Sequence, residues 1–397
     1  MEHASIAESF CCSSTCRARG RNLKKKILIV GPFPPPVGGD TIFTSNVFKS
    51  THWNRNGLIL DRIDTSPKRG LKLPEDRLAV RDILRGIKLF FMYMFRLPSV
   101  DGILLLANTR FLLTIGAAMI YLASLVGKPI GVWLFSTYFV KRLDDSPRLW
   151  RRIAVGALKR ADWLFVQTEL LIDILHRRFH LDRSKLIFFP NFVPDRFIME
   201  REAHKEFAGR CVFIGQIKRE KGVFDIIDAV ASRAGYICDF YGPIHERDRD
   251  DFLRRIEETD NIKYRGEVEH DRVVETIAEY DVFLLPTFHP SEGYPAVLFE
   301  AFAAQVPVIA TDWLAIGEIV ADGERGILVP VHSPERIAEA LDRLRADADL
   351  YRNLCRGASD YVKGFSESAV LRDILISRFK ERLGAKGDGA PPTAASE

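Results

Sequence analysis

The chain has 397 residues, of which 47% are hydrophobic and 28% charged, and a formal net charge of +4 at pH 7. A single core stops growing near roughly 250–300 residues, so this length favours two domains, each able to bury a core of its own. The composition is that of a soluble globular chain, and the nearly balanced charge gives no nucleic-acid footprint. Of the six cysteines, Cys11, Cys12 and Cys16 cluster near the start, while Cys211, Cys238 and Cys355 are isolated in strand-like or helical contexts. No spacing reads as a disulfide framework, which fits a reducing compartment. The first trio lacks the second ligand pair of a zinc site.

Residues 1–24 are polar, small and basic and are expected to form a disordered extension, without the apolar run of a secretory signal. The first strand is Ile27–Val30, an aliphatic run suited to burial on both faces. Gly102–Ala107, Ile130–Phe135 and Asp162–Gln167 read the same way, with amphipathic stretches such as Arg151–Arg160 between them. This alternation predicts a parallel sheet with helices on both faces. Phe111–Val126 is interrupted by Thr114, Gly116 and Ser124 and falls short of the roughly 18 clean apolar residues of a spanning helix. It is expected to be a buried core helix, with a helix resting in the membrane interface as the other reading. Lys88–Tyr93 and Leu149–Arg152 combine basic and large apolar residues, suited either to an anionic membrane surface or to ordinary helix packing.

Pro190-Asn191-Phe192-Val193-Pro194, followed by the charged stretch Glu200–Arg210, marks a linker. Strands are then expected at Cys211–Ile214, Ile237–Tyr241, Ile262–Arg265, Val282–Pro286 and Val308–Thr311. Helices are expected at Gly222–Ala231, Asp250–Glu258, Arg272–Tyr280 and Pro295–Ala304. The fold class is therefore α/β, with two halves leaving a cleft between them; ligands in such sheets sit at the carboxyl ends of the strands. The Gly-, Ala-, Pro- and Ser-rich tail of residues 384–397 is expected to be disordered.

The segment Pro286–Glu300 carries the most chemistry. A strand end runs into His289-Pro290-Ser291-Glu292-Gly293-Tyr294-Pro295 and then a helix, with Pro295 expected at the first helical position. The amides of Ala296 and Val297 would lack intrahelical partners and, with the helix dipole, suit a diphosphate. Gly293 permits close backbone approach. Glu300 lies among Leu298, Phe299, Ala301 and Phe302, where an unpaired carboxylate is costly, so a ribose diol is a fitting partner. Glu292 precedes the helix, placed to meet a sugar. His289 is a further candidate acid or base, with loop positioning as its plainer role. Asp248-Arg249-Asp250-Asp251 opens an amphipathic helix, where acidic residues suit the dipole better than they suit a metal site.

Glu292 and Glu300, with Gly293-Tyr294-Pro295 between them, resemble the paired-glutamate motif of retaining glycosyltransferases. The chain from Lys25 to about Arg382 is similar to glycosyltransferase family 4 (group 1). That resemblance implies the GT-B fold, two Rossmann-like domains facing each other across a cleft. Residues 25–198 would form the acceptor domain and 199–365 the nucleotide-sugar donor domain, with a helix at 366–383 packing back on the first. Gly31-Pro32-Phe33-Pro34-Pro35-Pro36-Val37-Gly38-Gly39 looks like the family's glycine-rich loop beside the donor phosphates. Gly215-Gln216-Ile217-Lys218-Arg219-Glu220-Lys221-Gly222 matches a second motif, keeping Lys221 but holding Gln216 where arginine is usual; Lys218 or Arg219 would replace that charge. Phe135-Ser136 stands where the family often has His-Gly, making Ser136 a candidate contact. Glu267 and Val268 occupy the position that meets the nucleotide base, and Asn108 and Arg110 a strand end facing the cleft.

The resemblance implies a hexosyltransferase-type enzyme in surface polysaccharide assembly. It would use a UDP- or GDP-sugar donor, a glycan or lipid-linked acceptor, retention at the anomeric carbon and no required cofactor or metal. The chain is expected to be cytoplasmic, with a peripheral contact on the inner membrane face and no nucleic-acid partner. Two alternatives are a nucleotide-sugar epimerase and a non-catalytic binding subunit of the same fold.

Overall fold

The computed structural model describes residues 24–35, 38–66, 80–107, 111–134, 138–198, 206–231, 233–290 and 292–385. The expectations for the N-terminal extension with its three cysteines, for most of the tail, for Asn108, Arg110, Phe135 and Ser136, and for the first half of the linker's charged stretch lie outside them.

The first sheet has six parallel strands in the order β2-β1-β3-β4-β5-β6. These are β1 (Lys25–Gly31), β2 (Leu58–Asp64), β3 (Gly102–Ala107), β4 (Ile130–Leu134), β5 (Trp163–Val166) and β6 (Leu186–Phe188). Every residue of β4 is buried, as continuous apolar runs require when helices cover both faces. One face packs under helices α1 (Val80–Arg96), α2 (Ala117–Leu125), α3 (Arg148–Arg160) and α4 (Glu169–Phe179). Phe111–Val126 is helical as expected, but it opens with a π-helical stretch, Leu112–Gly116, before α2.

The other face of this sheet is covered partly from the far end of the chain. Val370, Leu371, Leu375, Ile376 and Phe379 are buried with Ile27, Ile29, Trp53 and Leu104. The Phe379 ring stands 5.0 Å from Trp163 and 6.3 Å from Trp53. Return of the C-terminal helix thus fastens the end of the chain to its first domain.

The second sheet has the order β12-β11-β10-β7-β8-β9, again parallel throughout. Its strands are β7 (Arg210–Ile214), β8 (Ile237–Tyr241), β9 (Ile262–Tyr264), β10 (Val282–Leu285), β11 (Val308–Thr311) and β12 (Gly326–Val329). Counted within this half, the order is 3-2-1-4-5-6, the doubly wound Rossmann arrangement. Helices α5 (Val223–Val230), α6 (Ala296–Ala303) and α7 (Ala348–Lys363) cover it. Two expectations need correction. Pro295 caps α6 with an extended backbone rather than occupying its first turn, because its ψ of 118° is not helical. Arg272–Tyr280 is a short 3-10 turn followed by helix only over Val273–Ile277. Cys211, Cys238 and Cys355 are free thiols buried in this core.

Candidate functional site

In the second sheet the strand order reverses between β7 and β10, which opens a crevice at their carboxyl ends. Both strands run directly into the loops singled out from the sequence, Gly215–Gly222 and Pro286–Pro295. The loops are tied together: the Phe288 amide donates to the Glu220 carbonyl at 2.9 Å. Gly222 allows this approach. It lies at φ +73°, and a Cβ there would stand 2.1 Å from the Pro286 carbonyl oxygen, so no other residue fits without displacing the strand end.

This closure brings Lys221 to Glu292, Nζ to Oε2 at 2.5 Å. The Thr287 hydroxyl stands 2.9 Å from the same carboxylate oxygen. Thr287 is fully buried, and its carbonyl accepts a hydrogen bond from Thr311, so the platform under Glu292 is rigid. Nothing in the sequence marked Thr287 except its place between strand and motif.

Around this pair the charge is unevenly shared. Lys218 has no carboxylate within ion-pair range among the described residues, and burial together with Lys221 lowers its pKa. Arg219 points elsewhere: its guanidinium bonds Asp251 at 3.0 Å and lies 4.2 Å over the Phe224 ring. Of the two cations left open by the sequence, Lys218 is the one beside the Lys221–Glu292 pair. Asp248, whose carboxylate receives the Arg219 amide, and Asp251 serve this same network. No cluster of three or more metal-ligating side chains occurs among the described residues. Burial, Lys218 and Lys221 lower the pKa of His289 and disfavour its protonated form. Its carbonyl accepts from Trp313 Nε1 at 2.9 Å, and its amide donates to Thr287.

Helix α6 begins one step further on. The Ala296 and Val297 amides have no acceptor among the described residues and stand at its positive end. Glu300 sits one turn into the helix with 13% of its side chain exposed. Burial raises its carboxyl pKa to about 7. His270 Nδ1 is 3.6 Å from Glu300 Oε1, and its Nε2 is 3.4 Å from Asn46 of the first domain. Glu267 and Val268 lie just before His270, after Gly266 at φ +85°. Gly215 bonds through its amide to Tyr241 at the end of β8, and Gln216 follows it exposed.

The first domain faces this site through two segments. The loop after β1 leads to Gly38 and Gly39, where an 11-residue helix, Gly39–Lys49, starts. The Gly39 and Asp40 amides have no acceptor among the described residues, and a Cβ on Gly39 would meet nothing within 4 Å. The second segment is the proline-flanked stretch read as a linker. Its Asn191 is buried, bonds Gln167 at 3.2 Å, and donates to the Tyr294 carbonyl. The Tyr294 ring stacks on Phe299 at 5.2 Å and meets Phe188 of the first sheet at 6.2 Å. A buried asparagine between two prolines was the available sign that this stretch does more than connect.

Comparison with known proteins agrees with this architecture. Residues 195–360 match the family described as glycosyl transferases group 1. The chain is 27% identical over 227 residues to an exopolysaccharide phosphotransferase of Streptomyces coelicolor, a stretch covering 55% of this chain but only 23% of that protein. It is 24% identical over 293 residues to the alpha-D-kanosaminyltransferase of Streptomyces kanamyceticus, covering 67% of this chain and 75% of that one. The structure superposes on the Anabaena protein HepE, solved in complex with UDP, with a TM-score of 0.66 and 14% identity, covering 91% of this chain and 99% of that one. The shared architecture is the GT-B fold, two Rossmann-like domains.

Proposed function

Starting from the match of residues 195–360 to the group 1 glycosyl transferases, we propose that this chain transfers a sugar from a nucleotide-diphosphate donor to a glycan or lipid-linked acceptor, with retention at the anomeric carbon. The observation that carries the reading is the convergence of Lys221, Glu292, the α6 amides and Glu300 on one strand-end crevice. A neighbour of the same fold was solved with UDP and with UDP-glucose, which supports a uridine nucleotide sugar as the first donor to try.

In this reading the glycosidic bond to the diphosphate breaks and negative charge grows on the leaving oxygen. Lys221, Lys218, the Ala296 and Val297 amides and the Gly38–Gly39 loop stabilise that charge, a preorganised electrostatic effect. Ionised Glu300 accepts both ribose hydroxyls. Glu292 accepts hydroxyls of the donor sugar, its carboxylate held by Thr287. These cations do the work without a metal, and the product would enter surface polysaccharide assembly.

The test is a panel of nucleotide sugars assayed by thermal shift and by slow hydrolysis, with and without chelator. A ligand that binds only the folded state raises apparent stability with its concentration. The expected outcome is one sugar nucleotide that stabilises the chain and is hydrolysed despite chelator. Epimerisation of that donor without acceptor would overturn transfer in favour of an epimerase, and binding without turnover would favour a non-catalytic subunit.

A further inference from the structure

The helical layer on one face of the first sheet differs from the rest of the surface. Helix α1 contacts the Leu112–Gly116 stretch, which continues into α2, and α2 packs along α3. Along α1, Leu84, Ile87, Phe91, Met94 and Phe95 are exposed, Phe95 by 78%. Their spacing places them on one stripe of the helix, opposite the buried Leu89 and Tyr93. Leu125 and Val126 at the end of α2, and Leu149 and Trp150 at the start of α3, are exposed as well. Nine of the thirteen large apolar side chains exposed among the described residues lie on α1, the end of α2 and the start of α3, so the apolar surface is concentrated rather than scattered.

Charge singles out the same three helices, α1, α2 and α3. The sequence holds no Asp or Glu from Leu84 to Val100, from Gly102 to Leu143, or from Arg148 to Ala161. Lys88, Arg148, Arg152 and Lys159 are exposed and have no carboxylate partner among the described residues. Beside α3 a cleft of about 450 Å³ is lined by Arg151, Arg152, Lys159 and Arg178, with Asp144 as its one carboxylate. Asp144 is held by Arg178 at 2.8 Å, which leaves the cleft with excess positive charge. No helix among the described residues is long and apolar enough to cross a membrane.

Exposed aromatic and aliphatic side chains beside a predominantly basic set of helices are complementary to an anionic bilayer, where apolar groups enter the acyl boundary and cations meet phosphates. A second copy of this chain would bring the same cations face to face. We infer that the first domain docks on an anionic lipid surface through the stripe of α1 and the start of α3. Phe91, Phe95 and Trp150 enter the interface, and Lys88, Arg148, Arg152 and Lys159 bind lipid phosphates.

The experiment is co-sedimentation of the full chain with phosphatidylcholine vesicles, alone and with about one third phosphatidylglycerol, a content high enough to set up a negative surface potential. Binding is expected only with the anionic lipid, with weakening by salt and a blue shift of Trp150 emission relative to a Trp150→Phe control. A Phe91→Glu/Phe95→Glu variant and an Arg148→Gln/Arg152→Gln/Lys159→Gln variant should each lose at least tenfold in partitioning, since each cation near a surface is worth about fivefold. All these positions are exposed, so thermal unfolding should stay at wild type; if the glutamate variant unfolds, the glutamine variant decides. Equal binding to both vesicles, no binding, or variants that bind like wild type would each overturn the inference. So would a wild-type dimer that Phe91→Glu/Phe95→Glu splits while vesicle binding is unaltered.

Discussion

Lys221 and Glu292, 71 positions apart in the sequence, form an ion pair of 2.5 Å at the mouth of the crevice between β7 and β10. Each neutralises the other, and each is aimed at a different part of the same proposed donor. The diphosphate would draw Lys221 while the sugar hydroxyls occupy Glu292, so donor binding exchanges one internal pair for two external ones. Lys221→Ala should therefore lower kcat by roughly 10²–10³ fold, the scale of one lost preorganised donor. It should also destabilise the unliganded chain by about 1–3 kcal/mol, since among the described residues Glu292 is left buried with Thr287 as its remaining hydrogen-bond partner. Steady-state kinetics and thermal melts check both, and wild-type turnover in this variant would remove Lys221 from the mechanism.

Glu300 should make both stability and binding pH-dependent. Its carboxyl titrates near 7 in the folded chain because burial disfavours the charge, against an ordinary value of 4.5. A raised folded pKa means stability is fully present below about pH 4.5, falls as pH rises, and is lost above about 7. The loss is on the order of 3 kcal/mol. Glu300→Gln should therefore be more stable than wild type at pH 8 and show no such gain at pH 4.5. If ionised Glu300 accepts the ribose hydroxyls as proposed, nucleotide affinity in the wild type should weaken as pH falls from 8 to 6. Melts and titration calorimetry across that range test the two halves separately.

Lys218 and Arg219 are adjacent in sequence yet should differ sharply in effect. Lys218→Ala should weaken UDP binding by about tenfold or more while leaving uridine binding nearly unchanged, as expected for a cation that meets phosphate. Arg219→Ala should leave both affinities alone, because that guanidinium is held by Asp251 on the far side of the loop. Competition binding with the nucleoside and its diphosphate gives the answer; equal losses in the two variants would contradict the geometry.

Gly222→Ala tests the loop closure itself. The added methyl must move the Pro286 carbonyl, and φ +73° is strained for alanine. A loss of about 1–3 kcal/mol of stability is expected, together with lower kcat through misplacement of Lys221. A variant with wild-type kcat would show that the two loops need not touch.

Local patterns made much of the architecture legible. Apolar runs of strand length alternate with amphipathic stretches, and that alternation follows from short-range sterics and from burial on both sheet faces. The strand, loop and helix that carry Glu292 and Glu300 were readable for the same reason, as was the costly position of Glu300 among Leu298, Phe299 and Phe302. What the chain could not declare locally is which distant groups meet. The partnership of Lys221 with Glu292 depends on β7 and β10 lying side by side at the switch point, a consequence of strand order and not of spacing. The diversion of Arg219 to Asp251, the seat of Asn191 under Tyr294, and the return of Phe379 to Trp53 and Trp163 are decided the same way. Sequence determined the elements and the chemistry each carries, because period and burial act over a few residues. Tertiary structure alone decided which charges neutralise each other and which stay available to a ligand, because that depends on contacts across the sheet.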